Sequence, residues 1–107
     1  MHQVVLGLGG NRGDKLALLN KAMQLLAQKM DLEKASSIYH TAAWGGNSHG
    51  AYLNQVLVLR TSMKAEECLN FIQQIENQLG RKRGVKWGDR TMDIDILYFD
   101  NEIINTE

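Results

Sequence analysis

The chain has 107 residues, 44% of them hydrophobic, which indicates one folded domain over residues 1–107 rather than a disordered chain. Its twelve basic and twelve acidic residues cancel, which argues against a general nucleic-acid binder, because such domains are strongly basic. The single cysteine, Cys68, cannot form an internal disulfide, and no apolar run reaches the roughly 18 residues of a membrane span. We therefore expect a cytoplasmic protein without a membrane partner, with Cys68 a small buried helix residue rather than a nucleophile.

The first third of the chain predicts a strand, a helix and a second strand. Residues 3–8 form the first strand and lead into the glycine-rich residues 9–14, which predict a tight turn. Close approach of that backbone to a flat ligand is the alternative, since the segment matches neither the dinucleotide fingerprint nor the P-loop. Asp14 suits the N-cap of an amphipathic helix. The apolar stripe of that helix is Leu16, Leu19, Met23, Leu26 and Met30. Residues 32–39 predict the second strand.

A long loop and a third strand follow. The loop, residues 41–50, carries Trp44, which either packs the loop down or stacks on a ligand. Residues 52–60 predict a strand with Asn54 on the face opposite Gln55. The amide of Asn54 suits the donor and acceptor edge of a heterocycle, although a buried amide satisfied by backbone is the alternative.

The last elements are a second helix, a basic segment and a fourth strand. Ser62 is a candidate N-cap, and Gly80 a candidate left-handed residue ending the helix. The helix stripe is Leu69, Ile72, Ile75 and Leu79. Residues 93–99 predict the last strand, and residues 100–101 a turn. The order β-α-β-β-α-β predicts an α+β, ferredoxin-like fold, with an antiparallel sheet and both helices on one face.

Two carboxylates mark the last strand. Asp93 and Asp95 are two residues apart, so they share a face of the strand with Cα atoms roughly 6.5 Å apart. Their oxygens suit Mg²⁺, which is usually bound by one or two carboxylates plus substrate phosphates. Five cations precede them: Arg81, Lys82, Arg83, Lys86 and Arg90. Together they indicate a polyphosphate site. For the aspartates the alternative is a solvated strand face, and for the basic residues it is a solvated loop or a weak nucleic-acid patch.

Several motifs occur together in a familiar order. Residues 87–96 read WGDRTMDIDI, residues 39–41 YHT, residues 52–54 YLN and residues 101–105 NEIIN. With Asn11, Gln73 and Glu76, they make the whole chain resemble the 6-hydroxymethyl-7,8-dihydropterin pyrophosphokinases of folate biosynthesis.

The resemblance implies transfer of pyrophosphate from ATP to the pterin hydroxymethyl group, with release of AMP. It implies two Mg²⁺ ions held by Asp93 and Asp95, and catalytic roles for these residues together with Arg81 and Arg90. The pterin would contact Gly9, Thr41, Ala42, Trp44, Tyr52, Asn54 and Trp87. ATP would contact Gln73, Glu76, Arg81, Arg83, Trp87, Arg90 and Ile96. Both substrates are small molecules, and we expect a monomer without a nucleic-acid partner.

The chain also departs from the family pattern. Ala42 and Ala43 stand where the family usually has two prolines, and Gly10 where it usually has serine. The family pattern normally continues beyond Glu107 with a histidine, further arginines and an aromatic residue, so we expect this chain to lack that segment. Two other hypotheses therefore accompany the enzyme: a shortened relative that binds pterin or nucleotide without efficient turnover, and a nucleic-acid binder that uses the basic segment. The predicted sheet lacks the aromatic pair typical of RNA-binding sheets of this topology.

Overall fold

The protein is described by a computed structural model over residues 1–10, 15–41, 52–79, 92–100 and 102–103. The two helices are α1, Lys15–Ala27, and α2, Ala65–Gln78. The strands are β1 His2–Gly10, β2 Asp31–Ala35, β3 Tyr39–Thr41, β4 Tyr52–Thr61, β5 Asp93–Phe99 and β6 Glu102–Ile103. No helix in these ranges is long and apolar enough to span a bilayer.

The strands form a single antiparallel sheet in the order β2-β4-β1-β5-β6, and β3 pairs with β4 beside β2. The first strand therefore lies in the middle, between the third and fourth predicted strands. This interleaved order is the one expected of a ferredoxin-like fold. The predicted α+β class is confirmed.

The core lies between the sheet and the two helices. In β1, Val4, Leu6 and Leu8 are buried, because alternate residues of a strand face the same side. From the helices, Leu19, Ala22, Leu26, Cys68, Ile72 and Ile75 belong to the same buried cluster. One cluster takes in residues of both helices and of the central strands, so both helices cover one face of the sheet. The opposite face, here called the open face, carries no helix of the described residues.

The predicted second strand is two strands. Residues 36–38 interrupt it, and Ser36 supplies the contacts to β4 that a regular ladder would otherwise make. The Ser36 N–H donates to the carbonyl of Val56 at 2.8 Å, and its Oγ accepts from the Val56 N–H at 2.9 Å. The buried amide of Gln55 donates to the Ser36 carbonyl at 2.9 Å. The break is therefore held by specific hydrogen bonds, so the single strand over residues 32–39 was wrong.

Three local predictions were also wrong. Gly9 and Gly10 extend β1 and are not part of the predicted turn, because β4 pairs with both glycines. The rest of that predicted turn, residues 11–14, lies outside the described residues. Leu16 is 51% exposed, and Ala22 takes its place in the buried stripe of α1.

Helix α2 begins after Lys64 rather than Ser62. The Lys64 N–H donates to the Glu67 carboxylate at 3.2 Å, which satisfies one amide at the helix start. The predicted caps Asp14 and Gly80 lie outside the described residues.

A β-bulge interrupts the pairing of β1 with β5. Val5 pairs with Tyr98 and Leu6 with Ile96, so Leu97 is an extra residue on β5. Leu97 and Tyr98 are consequently both exposed, while Phe99 returns to the core. The bulge allows a polar face at the start of β5 and a buried aromatic at its end.

Cys68 is fully buried in α2, as the sequence predicts. Burial, with a smaller effect from the Glu67 carboxylate, raises the pKa of its thiol to about 11. The thiolate is the nucleophilic form of cysteine, so this residue is a poor nucleophile near neutral pH.

Asp100 closes the turn after β5 and ties it to the start of β1. Its carboxylate accepts from the Gln3 N–H at 2.9 Å and contacts Nδ1 of His2 at 2.8 Å. Its own N–H donates to the Gln3 carbonyl at 2.7 Å. The residue has φ of 55°, a conformation that aspartate tolerates better than most residues. The hydrogen bond from Gln3 and then that to His2 lower the pKa of the Asp100 carboxyl.

This contact predicts an acid-dependent loss of stability. The pKa of the Asp100 carboxyl is lower in the folded state than in the unfolded state, where it is about 3.9. The carboxylate therefore stabilises the fold at pH values above the unfolded-state pKa, and this stabilisation is lost as the pH falls through the folded-state pKa. We expect the stability difference between wild type and Asp100→Asn to shrink on acidification below about pH 4. Urea unfolding of both proteins at a series of acidic pH values measures this difference in the free energy of unfolding. Asp31→Asn, the same change at an exposed strand residue, is the control, and a difference independent of pH would contradict the prediction.

Candidate active site

The open face of the sheet carries two cross-strand rows centred on glycines of β1. Gly9 pairs with Asn54 of β4 on one side and with Asp93 of β5 on the other. One step along, Gly7 pairs with Val56 and Asp95 in the same way. An amide on β4 and two carboxylates on β5 thus border a part of the central strand, at Gly7 and Gly9, that has no side chains on this face. Because neighbouring strands lie about 4.8 Å apart, the Cα atoms of Asn54 and Asp93 are roughly 10 Å apart.

The Asn54 side chain uses the space left by Gly9. A Cβ atom on Gly9 would lie 3.0 Å from Oδ1 of Asn54, so the amide extends over β1 toward the centre of the sheet. A side chain at position 9 would therefore press against the Asn54 amide, which would have to shift by a few tenths of an ångström. Gly9 lies in a strand and not in a turn, and the close approach of its backbone to a flat ligand stays a prediction.

Gly7 and Leu97 were not among the predicted site residues. A Cβ on Gly7 would lie 3.3 Å from Cδ1 of Leu97, so the side chain of the bulge residue covers Gly7. Leu97 thereby forms an apolar boundary beside Asp95. The two-residue spacing of Gly7 and Gly9 within a strand was a signal that both share one face. The bulge had no comparable signal, because it depends on pairing with β1.

Asp93 and Asp95 are both partly exposed on the open face, as their spacing predicts. The residues between and after them, Ile94 and Ile96, are buried in the core. Within the described ranges, no group of three acidic, histidine or cysteine side chains could hold a metal by itself. Two carboxylates with oxygen ligands supplied by phosphate and water are the usual protein contribution to Mg²⁺, so the donor set fits that ion.

Gln73, Glu76 and Ile96, the described residues predicted to contact nucleotide, lie in different environments. Gln73 is exposed on α2. Glu76, three residues later, is only 5% exposed, and its Oε2 accepts a hydrogen bond from the Ile94 N–H at 3.0 Å. The Ile96 side chain belongs to the core. These positions place Glu76 directly behind the aspartate pair and leave Gln73 accessible to solvent.

The remaining predicted residues are only partly within the structure. Thr41 and Tyr52 pair with each other across β3 and β4, which brings both main chains next to the Asn54 row. The other predicted residues lie outside the described residues: Ala42, Trp44, Arg81, Arg83, Trp87 and Arg90.

Comparison with known proteins identifies the family. Residues 5–106 match the family model described as 7,8-dihydro-6-hydroxymethylpterin-pyrophosphokinase (HPPK). The whole chain is 42% identical to a 2-amino-4-hydroxy-6-hydroxymethyldihydropteridine pyrophosphokinase of Aquifex aeolicus, covering 67% of that protein. Over 95% of the chain it is 44% identical to the protein of the same name from Bacillus subtilis, covering 62% of it. It is also 36% identical to the bifunctional protein FolKE of Lactococcus lactis, covering 31% of that protein.

The chain spans about two thirds of the length of the two pyrophosphokinases that it matches. The family match nevertheless covers nearly every residue of the chain, including both glycine-centred rows and the aspartate pair. The matches to these two proteins cover 100% and 95% of the chain rather than one motif. The chain belongs to the 7,8-dihydro-6-hydroxymethylpterin-pyrophosphokinase family.

Proposed function

We propose that this chain transfers pyrophosphate from ATP to 6-hydroxymethyl-7,8-dihydropterin and releases AMP, as a step of folate biosynthesis. The observation that carries the proposal is the row Asn54–Gly9–Asp93, which sets an amide and a carboxylate on either side of a bare strand. This arrangement offers one end suited to a heterocycle and another suited to a charged phosphate chain. The names of the family and of its relatives contain both a pterin, which is a heterocycle, and a pyrophosphokinase, which acts on a phosphate chain.

Asn54 and Gly9 form the pterin end. A carboxamide offers both a donor and an acceptor, which suits the edge of a pterin ring. The bare backbone at Gly9 lets a planar ring lie close to the sheet. The other proposed pterin contacts come from the flanking segments: Thr41, Ala42, Trp44, Tyr52 and Trp87.

Asp93 and Asp95 form the phosphate end and would hold two Mg²⁺ ions. Bound Mg²⁺ supplies Lewis-acid neutralisation of the phosphate charge. Arg81, Arg83 and Arg90 would add planar donors for phosphate oxygens, with Arg81 and Arg90 acting at the reacting centre. The proposed adenosine side of ATP uses Gln73, Trp87 and Ile96, the last through its main chain because its side chain is buried.

The chemistry requires positioning more than covalent help from the protein. The pterin hydroxyl oxygen forms a bond to the β-phosphorus of ATP, and the bond from that phosphorus to the oxygen of the α-phosphate breaks. AMP leaves with the electron pair, and the hydroxyl proton is released. The side chains contribute by aligning these two oxygens and by excluding water from the reacting centre.

The monomeric state, the cytoplasmic location and the lack of nucleic-acid or membrane partners stay predictions from the sequence. The alternative of binding without turnover is tested by AMP production from ATP and the pterin with Mg²⁺, using the 107-residue chain. Steady turnover supports the enzyme. Binding of both substrates without AMP formation would instead support the non-catalytic alternative.

Replacement of Gly9 tests the pterin end. In Gly9→Ala, the added Cβ displaces the Asn54 amide, and we expect pterin affinity to fall roughly tenfold, equivalent to about 1.4 kcal/mol. Calorimetric titration with the pterin measures the loss, and thermal unfolding checks that the fold is retained.

A double-mutant cycle supplies the control for this substitution. If Gly9→Ala acts through Asn54, it should change pterin affinity little in an Asn54→Ala background. Equal losses in both backgrounds would show that Gly9 acts independently of the amide.

Replacement of Asp95 tests the phosphate end. Asp95→Asn keeps the side-chain shape but removes the charge, so we expect AMP production to fall at least about 100-fold, because metal–phosphate contacts are worth several kcal/mol in the transition state. Initial rates of AMP production at saturating ATP and Mg²⁺ measure this loss. Glu66→Gln, the same loss of charge on the exposed side of α2, is the matched control. A wild-type rate in Asp95→Asn would refute the proposed phosphate end.

A further inference from the structure

Glu76 is a carboxylate buried at the contact between α2 and β5. Carboxylates are almost never buried unless their oxygens have partners, because removing the charge from water is costly. One partner is the Ile94 N–H, which donates to Oε2 at 3.0 Å. The neighbouring helix residues Ile72 and Ile75 are buried apolar side chains. A charged residue at this position therefore needs an explanation that packing alone does not supply.

The hydrogen bond fixes the edge of β5 between the two aspartates. In an antiparallel pair, the N–H groups of successive residues point alternately toward and away from the neighbouring strand. Since the Ile94 N–H meets Glu76, it points away from β1, toward the edge of β5 on which β6 pairs with Tyr98 and Phe99. Glu76 thus satisfies the N–H of Ile94, the residue between Asp93 and Asp95.

Glu76 approaches this strand from the helix side, whereas Asp93 and Asp95 face the open side. In the described part of the chain the three carboxylates do not form a cluster that could hold a metal together. The hydrogen bond to the Ile94 N–H connects Glu76 to the backbone between the two aspartates.

We propose that Glu76 is a positioning residue, which fixes the Asp93–Ile94 peptide unit so that the carboxylates of Asp93 and Asp95 meet the same metal–phosphate group. The inference rests on the proposed function and deepens it, because it gives Glu76 a role through the strand rather than through contact with the nucleotide. The role requires an acceptor at the position of Oε2 and does not require the negative charge.

Two substitutions separate the acceptor from the charge. Glu76→Gln keeps an oxygen acceptor at the same reach but loses the charge, whereas Glu76→Asp keeps the charge but withdraws the acceptor by one methylene. Hydrogen exchange of the Ile94 amide, followed by NMR in the protein without ligands, reports the hydrogen bond directly. We expect exchange near the wild-type rate in Glu76→Gln and at least about tenfold faster exchange in Glu76→Asp.

The effect on the metal site is measured separately. Mg²⁺ is titrated calorimetrically in the presence of the α,β-methylene analogue of ATP. We expect Glu76→Asp to weaken Mg²⁺ binding roughly 10- to 100-fold, the usual effect of removing an outer hydrogen bond behind metal ligands, and Glu76→Gln to remain near wild type. Gln74→Asn, which likewise shortens an amino-acid side chain by one methylene on the exposed side of α2, is the control.

The outcomes distinguish the possible roles. Wild-type behaviour of Glu76→Asp with impaired Glu76→Gln would show that the charge matters and would overturn the proposal. Unchanged Ile94 exchange in Glu76→Asp, with weaker binding of the ATP analogue in EDTA, would also overturn it, in favour of a direct nucleotide contact. If wild type produces no AMP, the proposed function fails, while the exchange and Mg²⁺ measurements still test the role of Glu76.

Discussion

The site depends on the central strand β1, which has to satisfy two requirements at once. One face must be apolar enough to hold both helices, and the other must be free of side chains where ligands are proposed to lie. The alternation of Leu6 and Leu8 with Gly7 and Gly9 meets both, because successive residues of a strand face opposite sides. A shift of pairing by one residue would bury the glycines and expose the leucines, so the core itself keeps the site in register.

The neighbouring strand β5 combines buried apolar residues with carboxylates in a different way. Its first residues alternate between the open face and the core, and the bulge at Leu97 then changes the phase so that Phe99 can pack below the sheet. Side-chain hydrogen bonds hold this strand in addition to its pairing with β1 and β6. Glu76 satisfies the Ile94 amide, and Asp100 fastens the following turn to Gln3. The carboxylate segment is thus anchored from the helix layer and from its far end.

These supports bear on catalysis because the proposed reaction depends on alignment. Asp93 and Asp95 carry like charges on one face, and such a pair favours binding of cations. Holding the carboxylates in place before ligand arrives reduces the ordering that binding would otherwise require. The rigid sheet therefore supplies geometry, while the aspartates and the proposed basic contacts supply charge.

The sequence alone determined the order of the main elements, the fold class and the shared face of Asp93 and Asp95, because these depend on residue spacing within single strands and helices. Its motifs also identified the family, which the comparisons confirmed. Tertiary structure decided what depends on neighbours. Pairing with β4 and β5 extended β1 through Gly9, Ser36 divided the second strand, and the β1–β5 register placed the bulge at Leu97. Only the packing of α2 against β5 brought Glu76 to the Ile94 amide, a contact between residues 18 positions apart for which no local pattern exists.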